Sequence, residues 1–349
     1  MVREKSRSIQ YINILRILAI YAVVTGHVAI WTTYDAAPLG AQWWIGKWIH
    51  LVCLCSIPIF VMVSGGLLLD DSRNESAIAF YKRRMHRIAV PFVFWTAFYL
   101  AMRVVIDKEQ MTAGRAASLI LTADPYYHLW FLCMIPGLYL VTPILRIFVR
   151  HSTSQQRILL IFIIFALAAV YSPINNIFLG NKRTIFTMFI PYIAYFIAGH
   201  EIRFADPNKV PLKYLIAAIG ICAAYIVLLA SPFIDLLSEG KAGFLYDSFS
   251  PPQVVMGVGI FWAVYLIDQR TKPLRGIPKT ALEWMASTTL GIYVLHPLVL
   301  AYMRYRFSDK SAEGGFLFTM TVGPLVAFIV TYLFASLIIN IPLLRRTIT

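Results

Sequence analysis

Long apolar stretches follow one another along the chain, separated by short segments that carry most of the charge. Each stretch approaches the roughly 20 apolar residues that a helix needs to cross the hydrocarbon core of a bilayer. Because open strand edges are not tolerated in lipid, we expect all of them to be helices. Ten spans are predicted: 12–32, 48–69, 88–106, 128–148, 158–178, 185–202, 212–230, 251–267, 283–303 and 316–342.

The composition supports this interpretation. Of the 349 residues, 59% are hydrophobic and 14% are charged, and the mean hydropathy is +0.70. A soluble domain has about a quarter of its residues charged. The predicted fold class is therefore an all-α polytopic integral membrane protein, with residues 1–349 forming a single transmembrane domain. Soluble, disordered and disulfide-scaffold classes are excluded.

The net charge of +14 is interpreted first as a topology signal. With the N-terminus inside, Lys and Arg are about twice as frequent in the cytoplasmic segments as in the outer ones, as the positive-inside rule requires. Both termini are therefore predicted to be cytoplasmic. No basic run is interleaved with aromatic residues in a polar domain, so nucleic acid is not an expected partner.

The four cysteines indicate neither a disulfide framework nor a metal site. Cys53, Cys55, Cys133 and Cys222 all lie in apolar stretches, and no second pair or histidine stands at zinc-ligand spacing. We expect buried free thiols, no disulfide and no metal.

The first span carries two ionisable residues on one helix face. Arg16 and His27 are eleven residues apart, which is 20° past three full turns and roughly 16 Å along the axis. Asn13 lies one turn before Arg16. Charged groups within a span are typically functional, although Arg16 alone could extend its side chain to the headgroups and His27 alone could be a hydrogen-bonded structural residue. Histidine exchanges a proton near neutral pH, so we predict that His27 is a general base.

A basic segment precedes the third span. Arg84 and Arg87 are three residues apart and share a face if this segment is helical, and guanidinium groups suit phosphate oxygens. The alternative is an ordinary cluster that binds anionic lipid. Because Arg16 is expected at the same membrane surface, we favour an anion-binding site formed by Arg16 together with Arg84 and Arg87.

Further candidates lie in later spans. Ser64 stands beside two glycines that would allow close helix packing. Trp130 follows His128 where an interfacial aromatic belt is expected. Tyr293 and His296 precede Pro297, which removes a backbone hydrogen bond and favours a kink. Ser64, His128, Trp130 and Tyr293 are candidate donors to a developing negative charge, and His296 is a candidate for binding an acceptor.

Five separated motifs resemble those of the acyltransferase-3 family of integral membrane O-acyltransferases, and the similarity runs through most of the chain. The motifs are residues 13–16 with His27, residues 56–65, residues 84–88 with Pro91, residues 128–132 and residues 291–297. The chain departs from the family pattern at Gly66, where a bulky aromatic is common. Its ten predicted spans without an appended domain are similar to the short bacterial forms.

The resemblance implies an acyl-CoA donor, commonly acetyl-CoA, and a hydroxyl acceptor on a bacterial surface or exported polysaccharide or on its lipid-linked precursor. It implies that the protein lies in the bacterial cytoplasmic (inner) membrane, in contact with membrane lipids, and that it binds no permanent cofactor. An oligomer is not required. The phosphates of the donor would contact Arg84 and Arg87, with Arg83 less central, while Arg16 and Asn13 would orient it. His27 would deprotonate the acceptor hydroxyl or carry the acyl group itself.

Two other functions compete with this one. A transporter or flippase for a lipid-linked sugar would use the same arginines to bind substrate phosphate, but the sequence has no visible internal repeat of the kind common in transporters. A non-catalytic subunit of a glycan export complex would need none of the histidines for chemistry.

Overall fold

The computed structural model describes residues 2–70, 75–181, 183–208, 210–228, 243–245, 247–307 and 314–348. These residues are almost entirely helical, which confirms the predicted all-α class. The helices are α1 Val2–Asp35, α2 Ala41–Cys53, α3 Ser56–Leu68, α4 Ala77–Val105, α5 Ala113–Leu121, α6 Trp130–His151, α7 Ser154–Phe178, α8 Tyr192–Arg203, α9 Leu212–Leu228, α10 Pro251–Arg270, α11 Ile277–Ser287, α12 Thr289–Phe307, α13 Gly314–Thr321, α14 Gly323–Ile339 and α15 Pro342–Arg345.

Within the described residues, six helical segments are long and apolar enough to cross a membrane. A seventh results if α11 and α12, which meet at a bend of 60°, count as one broken span. The predicted spans 212–230 and 316–342 correspond to the shorter apolar helices α9 and α14, and residues 229–230 lie outside the described part. The chain is thus a polytopic membrane protein, while the number ten and the orientation stay predictions.

The second and the ninth predicted spans are each interrupted. The path that contains 48–69 begins earlier, at Ala41, and is interrupted at Leu54 and Cys55, where α2 passes into α3. The predicted span 283–303 contains the bend between α11 and α12, at Thr288. The kink expected near Pro297 therefore lies nine residues from the observed bend, and Pro297 itself is inside α12.

Helices α3 and α8 cross at very short distance because glycines face backbone at the contact. A Cβ atom on Gly65 would overlap the Phe196 carbonyl oxygen, and one on Gly199 would overlap the Met62 carbonyl oxygen. Small residues allow this kind of approach between membrane helices, where packing rather than hydrophobic burial drives association. The crossing lies within the larger of the two buried cores.

The departure at Gly66 has a structural reason at the same crossing. A Cβ atom on Gly66 would lie 3.1 Å from the Gly199 carbonyl oxygen. The Arg203 guanidinium donates a hydrogen bond to the Gly66 carbonyl and pairs with Asp70 at 3.4 Å. An aromatic side chain at Gly66 would need α8 and Arg203 to move away, so glycine fits the close approach.

Replacing Gly65 tests the crossing. Gly65→Ala is expected to lower the free energy of unfolding by about 1–3 kcal/mol, because the added methyl group has backbone rather than a flexible side chain in its way. Gly220→Ala is the matched control, since a Cβ there meets nothing within 4 Å and alanine is the better helix former. Thermal unfolding in detergent measures both. Equal midpoints for the two variants would contradict the close approach.

Candidate active site

The direction of three helices separates two groups of predicted site residues. Arg16 on α1 lies close enough to Arg84, near the start of α4, for the two charges to interact. Further along the same two helices, His27 of α1 contacts Tyr127, and Tyr99 of α4 contacts His128. Helices α1 and α4 thus run in the same direction. We call the end that holds Arg16 and Arg84 the arginine end, and the end that holds His27 and His128 the histidine end. Helix α6 runs in the opposite direction, from the histidine end back to the arginine end.

Three histidines that are distant in sequence converge at the histidine end. The His27 and His296 rings are stacked, with centroids 5.2 Å apart and planes inclined by 26°. The His128 ring meets the His296 ring edge-on at 5.4 Å. We call His27, His128 and His296 the histidine cluster; all three were predicted site residues.

The cluster is buried, yet it holds polar atoms without partners. His296 is 0% exposed and His128 is 2% exposed, whereas His27 is partly exposed. Among the described residues, neither ring nitrogen of His128 has a hydrogen-bond partner, and the same holds for Nε2 of His296. An unpaired buried polar group costs about 1–3 kcal/mol, and buried polar atoms left open in this way are typical of a site that receives a polar ligand.

The His296 tautomer follows from its backbone contacts. Its Nδ1 lies 2.7 Å from the Tyr293 carbonyl oxygen and 3.2 Å from that of Ile292. Because carbonyl oxygens only accept hydrogen bonds, Nδ1 carries the proton. The unpartnered Nε2 of neutral His296 is therefore a hydrogen-bond acceptor.

Residues from three helices hold the cluster in place. The Tyr293 hydroxyl donates to the His128 carbonyl, which joins α12 to the residues before α6. The buried Tyr99 hydroxyl donates to the Val294 carbonyl at 2.6 Å, two residues before His296. His50 Nδ1 lies 3.0 Å from the Gly26 carbonyl and so fixes α2 beside His27. Tyr99 and His50 were missed in the sequence, where neither stands in a distinctive motif.

Ion pairs tie the end of α4 to the segment that leads to His128. Arg103 Nε donates to Glu109 at 2.5 Å, and Arg115 pairs with the same carboxylate at 3.2 Å. The hydrogen bond from Arg103 holds the pKa of Glu109 below its ordinary value. This contribution to stability is present above the unfolded-state pKa and is lost as the pH falls through the lower pKa of the folded state.

The predicted anion site also comes together, around a residue that the sequence did not indicate. The Tyr139 hydroxyl, in the middle of α6, lies close enough to interact electrostatically with Arg16, Arg84 and Arg87. Nε of Arg84 is buried without a partner among the described residues. Three cations around one hydroxyl form a positive site at the arginine end, suited to a phosphate group.

Arg83 has a different surrounding. Its guanidinium forms an ion pair with Glu75, which also lies 3.7 Å from Arg146. Arg146 in turn donates to the Leu68 carbonyl at 2.7 Å and covers the Phe80 ring. Arg83 therefore joins α4 to Glu75 in the segment before it, and Arg146 links the same carboxylate to α6 and to the end of α3.

The remaining candidates lie at the edges of these two groups. Ser64 donates its hydroxyl to the Phe60 carbonyl within its own helix. The Trp130 ring packs beside Phe131 and Tyr192, and Phe131 in turn contacts Tyr293. Asn13 is 6% exposed, one turn before Arg16. None of these three has a described ring contact or hydrogen bond with the histidine cluster.

Two other features concern ligands. The four cysteines are free thiols, and no group of His, Cys, Asp or Glu among the described residues has the arrangement of a metal site. An apolar cavity of about 550 Å³ lies between α7, α9 and the start of α10, lined by Pro173, Cys222 and Tyr225 among others. None of the predicted site residues lines that cavity.

Removing one hydroxyl tests whether the histidine cluster depends on its support. Tyr99→Phe deletes the bond to Val294 and is expected to cost about 1 kcal/mol of stability and roughly tenfold in turnover, because a small shift of a reacting group lowers the rate steeply. Tyr265→Phe, which deletes a 3.0 Å bond to the Ala205 carbonyl away from the cluster, is the matched control. Thermal unfolding and acyl-transfer rates are measured for both; equal losses of activity would argue against positioning by Tyr99.

Comparison with known proteins identifies the family. The acyltransferase domain model of acyltransferase family 3 matches residues 9–344, nearly the whole chain. No curated protein and no solved structure matches the chain. Because the matched region contains both the arginine end and the histidine cluster, the resemblance of the five motifs is confirmed, and the chain belongs to the acyltransferase-3 family of membrane proteins.

Proposed function

We propose that this protein transfers an acetyl or other short acyl group, such as succinyl, from acyl-CoA to a hydroxyl of a bacterial surface or exported polysaccharide or of its lipid-linked precursor, within the cytoplasmic membrane. The family supports acyl transfer. The observation that carries the rest is that α1 contributes a residue to each of the two groups: Arg16 belongs to the arginine end and His27 to the histidine cluster. By helix geometry these two residues share one face of α1, roughly 16 Å apart along the axis.

The arginine end suits the donor. Coenzyme A carries several phosphate charges, and the guanidinium groups of Arg16, Arg84 and Arg87 would bind them. Arg83 would act through its ion pair with Glu75, by fixing the start of α4. The uncharged pantetheine arm would then extend between the helices and carry the thioester to His27.

The chemical step is the attack of a hydroxyl on a thioester. The unprotonated ring nitrogen of His27 takes the hydroxyl proton while the oxygen forms a bond to the thioester carbonyl carbon. The tetrahedral intermediate then collapses, the carbon–sulfur bond breaks, and the leaving sulfur takes the proton from His27. The products are an ester and free coenzyme A, and no further reactant is needed.

The neighbours of His27 fit distinct parts of this step. His128, with two ring nitrogens available, would donate one N–H to the developing oxyanion. His296 Nε2, an acceptor, would bind the incoming hydroxyl or its neighbour on the sugar. The alternative route, in which His27 carries the acyl group transiently, uses the same residues. Rapid denaturation at neutral pH during turnover of radiolabelled acetyl-CoA separates the routes, since only the second leaves label on the protein, as an acyl-imidazole that acid then releases.

The two ends are tested separately. Arg84→Ala/Arg87→Ala is expected to weaken acetyl-CoA binding by at least roughly tenfold, because two charged hydrogen bonds are lost, as measured by calorimetry on purified protein. Lys82→Ala, which removes an exposed charge from the same segment, is the control and should bind as the wild type does. Wild-type affinity for acetyl-CoA in the double variant would refute donor binding at the arginine end.

His27→Ala is expected to keep donor binding and to lower acyl transfer by roughly 10²–10⁴-fold, the usual contribution of a general base. The acetyl content of the surface polysaccharide of producing cells and the release of free coenzyme A are the two measurements. His151→Ala changes an exposed histidine at the end of α6 and should leave both unchanged. Normal acylation by folded His27→Ala protein would refute the proposed role.

A further inference from the structure

Three aromatic rings surround the histidine cluster on the side away from the arginines. Tyr127 meets the His27 ring edge-on, with centroids 5.0 Å apart, and Trp31, one turn beyond His27 on α1, lies 6.2 Å from Tyr127. Tyr126 contacts Tyr127 at 5.0 Å and stacks on the buried Tyr99 at 4.5 Å. We call Trp31, Tyr126 and Tyr127 the aromatic rim.

The rim is more accessible than His128 and His296, which lie behind it. Tyr127 is 37% exposed and Trp31 and Tyr126 are partly exposed, whereas His128 and His296 are buried. A belt of aromatic residues at the membrane interface would explain exposed rings alone. It does not explain why one of these rings lies against the partly exposed His27, nor why three ring nitrogens behind the rim have no partner among the described residues.

Those nitrogens narrow the chemistry of the ligand. His296 Nε2 is an acceptor, and a neutral His128 ring offers one donor and one acceptor. A hydroxyl group both donates and accepts, so it satisfies either kind of atom. A ligand with hydroxyls along its edge and an apolar face would therefore bind the cluster with the edge and the rim with the face. A pyranose ring has this shape.

We propose that the aromatic rim is the acceptor subsite and binds the apolar C–H face of a pyranose, while one hydroxyl of that ring reaches His27. This inference rests on the proposed function and names the part of the acceptor that the protein recognises. Recognition is then of a single sugar ring by stacking, rather than of a long glycan by many hydrogen bonds. For sugar binding, the aromatic ring of Tyr127 should therefore matter more than its hydroxyl group.

The test uses the methyl glycosides of glucose, galactose, N-acetylglucosamine and rhamnose as probes. Their binding to the purified full-length protein is followed by saturation-transfer NMR, and acetyl transfer from acetyl-CoA by mass spectrometry. The variants are Trp31→Ala, Tyr127→Ala and Tyr127→Phe. Tyr302→Ala removes an exposed tyrosine from α12 and is the control.

At least one glycoside is expected to bind. Its dissociation constant and KM should rise roughly tenfold in Trp31→Ala and Tyr127→Ala, a loss of about 1.4 kcal/mol, and less than threefold in Tyr127→Phe and Tyr302→Ala. The affinity for acetyl-CoA should not change in any of them. This last readout separates a lost acceptor subsite from a damaged fold.

The proposal is overturned if no glycoside binds to folded wild-type protein, or if the two alanine variants bind the probes as the wild type does. Binding that depends on the rim, together with no transfer from acetyl-CoA, would retain the subsite and refute the proposed donor. Failure of the subsite and failure of the proposed function are therefore distinguished by different measurements.

Discussion

The burial of imidazole nitrogens without partners is the constraint on which the candidate site depends. In a membrane interior, water is scarce and each unsatisfied polar atom costs free energy. The protein nevertheless packs His128 and His296 beside His27. The nearby tyrosine hydroxyls donate hydrogen bonds to backbone carbonyls and not to the ring nitrogens: Tyr293 donates to the His128 carbonyl and Tyr99 to the Val294 carbonyl. The structure fixes where the rings lie and leaves both nitrogens of His128 and Nε2 of His296 without a partner among the described residues, an arrangement that a substrate could complete.

The fold was predictable where hydropathy alone decides it. The first span was predicted as 12–32, and the apolar helix covers Gln10–Tyr34, because a mostly apolar run of this length has only one stable form in lipid. Prediction was weaker where polar and aromatic residues mix. Trp43, Trp44 and Lys47 precede the predicted start of the second span but belong to its helix, and the bend at Thr288 has no proline or glycine beside it in the sequence. Such boundaries are set by packing against neighbouring helices, which no local pattern contains.

The candidate site was predictable residue by residue and not as an arrangement. The spacing of Arg16 and His27 places them on one face of α1, since helix geometry alone determines it. The convergence of His128 and His296 on His27 depends on how α6 and α12 pack against α1, and family motifs named those residues without giving their contacts. Tyr139, Tyr99 and His50 were missed because a tyrosine or histidine in an apolar helix is unremarkable until its partner is known. Arg83 was named from its charge, but the sequence did not indicate that this charge pairs with Glu75.

The separation of the two ends also explains how such chemistry can proceed in a membrane. A phosphate taken to the depth of His27 would lose its hydration at a cost of many kcal/mol. In the proposed function, holding the donor phosphates at Arg16, Arg84 and Arg87 would keep that charge at one end, and only the uncharged arm and thioester would enter between the helices. At the other end the reacting groups would be a hydroxyl, a thioester and an imidazole, none of which need be charged before the reaction begins. Charge would then develop only in the transition state, where an open nitrogen of His128 could donate a hydrogen bond to it.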